Sequence, residues 1–230
     1  MSSRFAALIP CYNVGRACLP VITQASAQVQ LCVAVDDGSS DDTHAAMQSL
    51  KLANLHILRH EKNLGKGAAL VSGFRLILEE RMDAVITLDG DGQHDPSLIP
   101  EFTAEFDAGR PDLICGNRMK DHRAMPRHRQ WLNRLSNRTI SSICNRPILD
   151  SQCGFRLYST KLIAAVIDEL KTGRYALETE ILIKASRMGL DIRFVPVSTI
   201  YSPETNSLSH HNLYDVLRIA RLVAVHFFKR

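Results

Sequence analysis

Two carboxylates one residue apart, Asp89 and Asp91, flank Gly90 directly after the apolar run Ala84-Val85-Ile86-Thr87-Leu88. A β-branched run of this length reads as a buried strand. The pair therefore stands at a strand end, with Gly92, Gln93 and His94 behind it. Hard divalent cations take oxygen ligands of this kind, keep several waters, and draw their remaining ligands from substrate phosphates. The pattern points to chemistry on a nucleoside diphosphate. The competing reading is a surface turn rich in Asp and Gly, which is the commoner origin of such a motif standing alone.

The elements around it decide between the two. Phe5–Ile9, Leu31–Val35, Leu55–Leu58, Ala84–Leu88 and Leu113–Cys115 read as strands, separated by helical spacing over Ala17–Val29, Asp41–Leu52, Gly67–Arg81 and Pro96–Gly109. Asp95 before Pro96 is an N-cap followed by proline at the first helical position, and Gly109 suits the stop. Such alternation predicts an α/β fold with a parallel sheet covered on both faces. Ligands of these sheets bind at the carboxyl ends of the strands. Every polar cluster of the first half then falls on that one rim: Pro10-Cys11-Tyr12-Asn13, Asp36 to Asp41, Asn63 to Gly67, Asp89 to Gln93, and Gly116-Asn117-Arg118. A shared pocket explains this better than five unrelated turns.

In the second half, Trp131–Cys144 reads as a basic amphipathic helix and Asp150–Tyr158 as a compact polar string. A helix opens at Glu178 and Glu180 and runs to Met188, Ile192–Val195 and Val197–Tyr201 read as strands, and a last helix begins at Leu213. The 230 residues, 45% hydrophobic and 23% charged, can bury a core without disulfides or structural metal. The six cysteines include no CxxC pair and read as buried thiols of a reducing compartment. A formal net charge of +4 does not imply nucleic acid as a partner. No signal-peptide pattern is expected. The nearest approach to a membrane span, Ile219–Phe228, is broken by Arg221 and His226 and falls short of the ~20 residues required.

Several motifs are excluded. GxGxxG is absent after the first strand, which disfavours a dinucleotide oxidoreductase, and Gly65-Lys66-Gly67 lacks the first glycine and the hydroxyl residue of a P-loop. Lys66 still sits where a helix begins and can meet a phosphate beside uncommitted backbone N–H groups; otherwise it is a solvated loop lysine. Asp36 and Asp37 can accept hydrogen bonds from a base or ribose, against a capping role for which Ser40 and Asp41 are better placed.

Taken in order, these strings resemble glycosyltransferase family 2 on the GT-A fold, and within it the dolichyl- or polyprenyl-phosphate mannose synthases and their bacterial relatives. The carriers are Ile9 to Asn13, Asp36 to Thr43, Asn63 to Gly67, Leu88 to His94, Gly116 to Arg118, Asp150 to Arg156 and Glu178 to Glu180. The resemblance implies a Rossmann-like, mostly parallel sheet flanked by helices over residues 1–210. Residues 1–117 form the nucleotide-binding half, 118–210 the acceptor half, and 211–230 a basic amphipathic C-terminal helix. It implies a nucleoside pocket lined by Pro10, Tyr12 and Asp37 with Val35 and Asp36 beside them, the nucleotide site extending to Asn13, Lys66, Gly67 and Gly90. Asp89 and Asp91, helped by Gln93, are implied ligands of Mg²⁺ or Mn²⁺, and Arg118 a phosphate contact. Val14 stands where the family often has Glu. Ser209-His210 and Asp215 resemble a pattern in the bacterial relatives, which brings His210 toward the phosphates or metal; the alternative is a surface histidine before a helix.

The expected reaction is inverting transfer from a GDP- or UDP-linked sugar, with the metal as Lewis acid on the departing diphosphate and Lys66 and Arg118 adding positive charge. A hydroxyl acceptor needs a general base, for which Asp150, Glu178 and Glu180 are candidates. A lipid phosphate needs none, only cations to position it. Arg127, Arg129, Arg134 and Arg138 could supply them, with Gln152 nearby; the alternative is a solvated basic face. The final helix, with Leu213, Leu217, Leu222, Val225 and Phe228 among Arg218, Arg221, Lys229 and Arg230, suits a membrane interface or packing on the sheet. The expectation is a cytoplasmic enzyme, peripheral at the inner membrane face, acting on a polyprenyl phosphate. Transfer to a glycan or lipid hydroxyl is the alternative, and a nucleotide-sugar-binding regulator or a nucleotidyltransferase ranks lower.

Overall fold

The hydrophobic strands assemble into one seven-stranded sheet in a computed structural model that describes residues 3–120, 127–170 and 177–198. The strands are β1 (Phe5–Cys11), β2 (Leu31–Asp36), β3 (Leu55–Arg59), β4 (Ala84–Thr87), β5 (Leu113–Asn117), β6 (Arg156–Ser159) and β7 (Ile192–Pro196). Their spatial order is β3-β2-β1-β4-β6-β5-β7. All neighbours run parallel except β6, which is antiparallel to both β4 and β5. The helices are α1 (Cys18–Ser26), α2 (Thr43–Ser49), α3 (Lys66–Glu79), α4 (Ile99–Gly109), α5 (Arg127–Cys144), α6 (Thr160–Val166) and α7 (Leu177–Arg187).

The two-residue period of the strands divides the core into two layers. From β1, Ala6 and Leu8 enter the layer under α3, α5, α6 and α7, with Phe74, Ile140, Leu162 and Ile181. Phe5, Ala7, Ile9 and Cys11 enter the other, under α1, α2 and α4, with Ile22, Met47 and Phe102. Both faces are covered, as a strand without polar alternation requires. All six cysteines are buried free thiols.

The expected first five strands are present, and the mostly parallel sheet is as expected. The added feature is β6. The Asp150–Tyr158 string carries no strand expectation, yet its end forms β6 with Arg156 1% exposed in the sheet. Its guanidinium donates to the carbonyls of Cys153, Glu178 and Ser151 at 2.7–2.8 Å, which satisfies the buried charge. Helix α6 follows at once, capped by Ser159 Oγ accepting from Leu162 N–H, and was also unforeseen.

Boundaries moved by a few residues elsewhere. Asp95 accepts from Ser97 N–H as the cap predicts, but Pro96–Leu98 form a 3₁₀ turn before α4, and the left-handed stop falls on Arg110 (φ 49°) rather than Gly109. Val197 and Ser198 follow β7 without extending it. The remainder of that expected strand, His210, and the expected helix over 211–230 lie outside the described residues.

Candidate active site

Order reversal in the sheet places a crevice where α/β folds bind ligands: β1 connects to β2 on one side and neighbours β4 on the other, and the carboxyl ends of β1 and β4 open between them. The loop after β4 closes tightly on β1. Gly90 N–H donates to Pro10 O at 3.4 Å, and a Cβ on Gly90 would collide with Cys11 Sγ. Glycine is therefore required between the two carboxylates. His94, 4% exposed, anchors the same loop: its Nδ1 accepts from Asp89 N–H at 3.1 Å while its ring lies 5.5 Å from that of Phe155. An accepting Nδ1 makes the imidazole neutral with its proton on Nε2. Burial agrees, holding the pKa down at about 4, with the Lys66 and Arg118 charges lowering it further against the opposing pull of Asp89 and Asp150.

Two charged side chains, Lys66 and Glu178, reach toward Asp89 on this loop from distant parts of the chain. Lys66 Nζ forms an ion pair with Asp89 Oδ1 and lies 3.3 Å from Glu178 Oε2, so the starts of α3 and α7 meet at the end of β4. Gly154, just before β6, makes room for them. A Cβ there would stand 2.9 Å from Asp89 Oδ2, 3.0 Å from Lys66 Nζ and 3.3 Å from Glu178 Oε1. Glu178 is nearly buried and its Oε1 has no hydrogen-bond partner. Asp91 accepts from Gln93 N–H at 3.0 Å. Burial and then the neighbouring Asp89 charge push its pKa up to about 6, against the relief given by the Gln93 N–H and Lys66.

That donor set fits a divalent cation. A carboxylate whose ionisation is resisted by burial and by its carboxylate neighbour gains from a hard cation between the two. Among the described residues no group of three or more His, Cys, Asp or Glu forms a closed metal cage, so an ion here would take its other ligands from water or phosphate. Gln93 stands in the same turn, half-buried.

Arg118, at the end of β5, is held side-on by Asp150. Its Nε and one Nη donate to the two carboxylate oxygens at 2.9 and 3.0 Å, and its N–H adds a third bond at 3.1 Å. The N–H groups of Gln152 and Cys153 also donate to Asp150. Burial alone would raise the Asp150 pKa; the Arg118 charge and hydrogen bonds, with the Gln152 and Arg118 N–H groups, outweigh it and hold the carboxyl below its ordinary range. With five donors on two oxygens, Asp150 is an orienting residue, poorly suited to the base role considered for it. Gln152 itself turns to α5, donating to Ser136 Oγ at 3.1 Å, and Asn137 pins the loop through Leu149 O and Ser151.

The β2 end is likewise self-occupied. Asp36, fully buried, accepts from Ser39 N–H and faces Arg59 Nε at 3.2 Å and His44 Nδ1 at 3.3 Å. Asp37 accepts from Leu64 N–H and Gly65 N–H at 3.0 and 2.7 Å and bonds His60 Nδ1 at 2.7 Å, with His60 Nε2 reaching Ser72 Oγ at 2.9 Å. Its carboxylate thus fixes the loop that delivers Lys66. Gly65 (φ 96°) turns the chain into α3, whose start carries no side-chain cap and holds Gly67 buried; uncapped N–H groups are those an anion uses. Val35 is sealed in the core, so its side chain lines no pocket. Pro10 is buried, whereas Tyr12 at the β1 end is 38% exposed and Asn13 (φ 50°) accepts from Ser40 N–H.

Arg127 and Arg129 belong to the first turn of α5, and Arg134 and Arg138 are exposed along it. Sequence reasoning missed the anchoring role of His94, the His60 link, the Gly154 clearance and the Arg156 scaffold. Only His94, five residues after Asp89, carried a local signal.

The solved structure of glucosyl-3-phosphoglycerate synthase from Mycobacterium tuberculosis, in complex with Mn²⁺, UDP and glucosyl-3-phosphoglycerate, shares the fold with a TM-score of 0.73 at 17% identity, covering 98% of this chain and 78% of that one. A UDP-N-acetylglucosamine–dolichyl-phosphate N-acetylglucosaminyltransferase from Methanococcus voltae is 27% identical over 85% of each chain. The polyprenol monophosphomannose synthase of Mycolicibacterium smegmatis is 28% identical over 86% of this chain and 77% of its own. The family described as "Glycosyl transferase family 2" matches residues 6–167, well over half of the chain, and the protein therefore belongs to that family and is a glycosyltransferase.

Proposed function

We propose that this enzyme transfers a sugar, with inversion, from a nucleoside-diphosphate sugar to a polyprenyl phosphate at the cytoplasmic face of a membrane. The reading is carried by the meeting of Asp89, Lys66 and Glu178 around Gly154, beside the Arg118–Asp150 pair. Asp89 and Asp91, with Gln93 in their turn, would hold Mg²⁺ or Mn²⁺. Such an ion supplies Lewis-acid stabilisation of the charge that grows on the departing diphosphate. Lys66 and the uncapped start of α3 present further positive potential to the same oxygens. Tyr12 offers an exposed ring for the nucleoside, beside Pro10 and the Asp37 loop.

Two of the three candidate bases are engaged elsewhere, which supports an acceptor that needs no deprotonation. Asp150 is occupied by five donors, and Glu178 engages Lys66. An ionised lipid phosphate attacks the anomeric carbon directly; the new C–O bond forms as the bond to the diphosphate breaks, and no proton has to be removed. The two relatives whose names carry dolichyl phosphate and polyprenol support this acceptor class. Helix α5 supports membrane contact: Trp131 is 63% exposed, beside the exposed Leu132 and Leu135 and among Arg134 and Arg138. Aromatic, aliphatic and basic side chains in this combination suit an anionic bilayer surface. No helix among the described residues is long and apolar enough to cross a membrane.

The test is transfer with Mn²⁺ from UDP- and GDP-linked sugars to undecaprenyl phosphate, read by mass spectrometry of the lipid. A lipid-linked phosphodiester is expected. Transfer only to hydroxyl acceptors would replace this reading by the alternative, and no turnover or binding with any donor would overturn both. Trp131 is the single tryptophan, so a blue shift of its emission with anionic but not neutral vesicles checks the membrane face directly.

A further inference from the structure

We infer that Lys66 is a placeholder for the divalent cation: its ammonium neutralises Asp89 in the free enzyme and passes to Glu178 and the donor diphosphate when the cation arrives. The inference rests on the metal role proposed above for Asp89 and Asp91.

Four observations carry it. The ammonium is ion-paired with Asp89 Oδ1, on the carboxylate that an ion shared with Asp91 would use. A second carboxylate already stands beside it, with Glu178 Oε2 at 3.3 Å and Glu178 Oε1 buried without a hydrogen-bond partner. Gly154 puts no side chain between the two positions, where even a methyl group would crowd all three groups. The backbone leading to Lys66 is fixed, because Asp37 holds the preceding Leu64 and Gly65 N–H groups, while a lysine stem has four rotatable bonds through which the ammonium can be re-aimed. The charge can therefore move between carboxylates without leaving the pocket or rearranging the fold.

A residue that only helps to bind the metal–diphosphate unit should weaken cation binding when removed. A placeholder has the opposite sign in the free enzyme, since its removal ends a competition for Asp89. It also ties the two ligands together. The donor diphosphate gives Lys66 a new partner and so releases Asp89, and by linkage the cation and diphosphate favour each other's binding.

The experiment is a Mn²⁺ titration followed by the electron paramagnetic resonance of free Mn²⁺, with and without saturating UDP, on wild type, Lys66→Met and Asp91→Asn. Without UDP, Lys66→Met should bind Mn²⁺ about tenfold more tightly than wild type, equivalent to about 1.4 kcal/mol. With UDP, that advantage should vanish or reverse. A wild type too weak to titrate without UDP, against a Lys66→Met that titrates, is the same expected result. Equal or weaker binding by Lys66→Met without UDP, including two silent proteins, overturns the inference. So does a constant factor with and without UDP, which would make Lys66 a static charge. Absence of Mn²⁺ binding by wild type even with UDP, or binding indifferent to Asp91→Asn, would remove the metal site itself and is read separately. Lys66→Gln gives the same comparison should Lys66→Met melt early.

Discussion

Acid should loosen this protein through His94. The imidazole is 4% exposed, accepts from the Asp89 N–H at 3.1 Å, and has its pKa held at about 4 rather than the ordinary 6.5. The folded state therefore binds fewer protons than the unfolded chain between those two values. The sign follows: stability from this group is complete above about pH 6.5 and is lost as pH falls toward 4. Going from pH 7 to pH 5 should cost about 2 kcal/mol from His94 alone. Asp91, with its pKa raised to about 6, works the other way over part of this window, so the wild-type curve understates the effect. Substitution His94→Asn isolates it, since an amide oxygen can still accept from Asp89 N–H but does not titrate, and Asp91 is common to both proteins. Urea unfolding at pH 7, 6 and 5 should show the stability gap between wild type and His94→Asn shifting by about 2 kcal/mol in favour of the variant. Curves that stay parallel to within a few tenths of a kcal/mol would refute the assignment of a neutral, accepting His94.

Three further outcomes are expected. Asp150→Asn should cost about 3 kcal/mol in urea unfolding, because it removes the carboxylate charge that Arg118 grips with two guanidinium N–H groups in a mostly buried site; the double change Arg118→Met with Asp150→Leu should cost less. Gly154→Ala should lower kcat at least tenfold while the thermal midpoint stays within several degrees, because the added methyl meets the ends of three charged side chains, not backbone; steady-state kinetics beside thermal melts checks both. Mn²⁺ affinity should fall about tenfold from pH 7 to pH 5, as protons compete for an Asp91 whose pKa is held near 6; calorimetry at the two pH values checks it.

The parallel half of this fold was legible because its strands are short apolar runs, most of them buried on both faces, and their polar loops alternate with helical spacing in order. The same regularity places Asp89, Asp91 and Lys66 on one rim from the sequence alone. The second half resisted because its rules are tertiary. A buried strand with Arg156 at its start makes sense only with the three carbonyls that satisfy the guanidinium, and those belong to a turn 3–5 residues upstream and a helix 22 residues downstream. Asp150 illustrates the limit differently. Its residue type allowed a base, but the five donors that remove that option come from backbone geometry and from Arg118, 32 positions earlier. The pairing of Lys66 with Glu178 spans the two halves, and nothing in local spacing announces it.

The bonds from Asp37 to the Leu64 and Gly65 amides have a consequence for how such an enzyme can diversify. In the proposed donor site Asp37 would lie toward the nucleoside, and it is also the clamp that sets where Lys66 begins. A lineage changing Asp37 would displace its phosphate-side cation along with any change on the nucleoside side. Donor switching by single substitution at that position is thus penalised twice. Successful drift between nucleotide donors should run through neighbours such as Tyr12 and Asn13, leaving the aspartate in place.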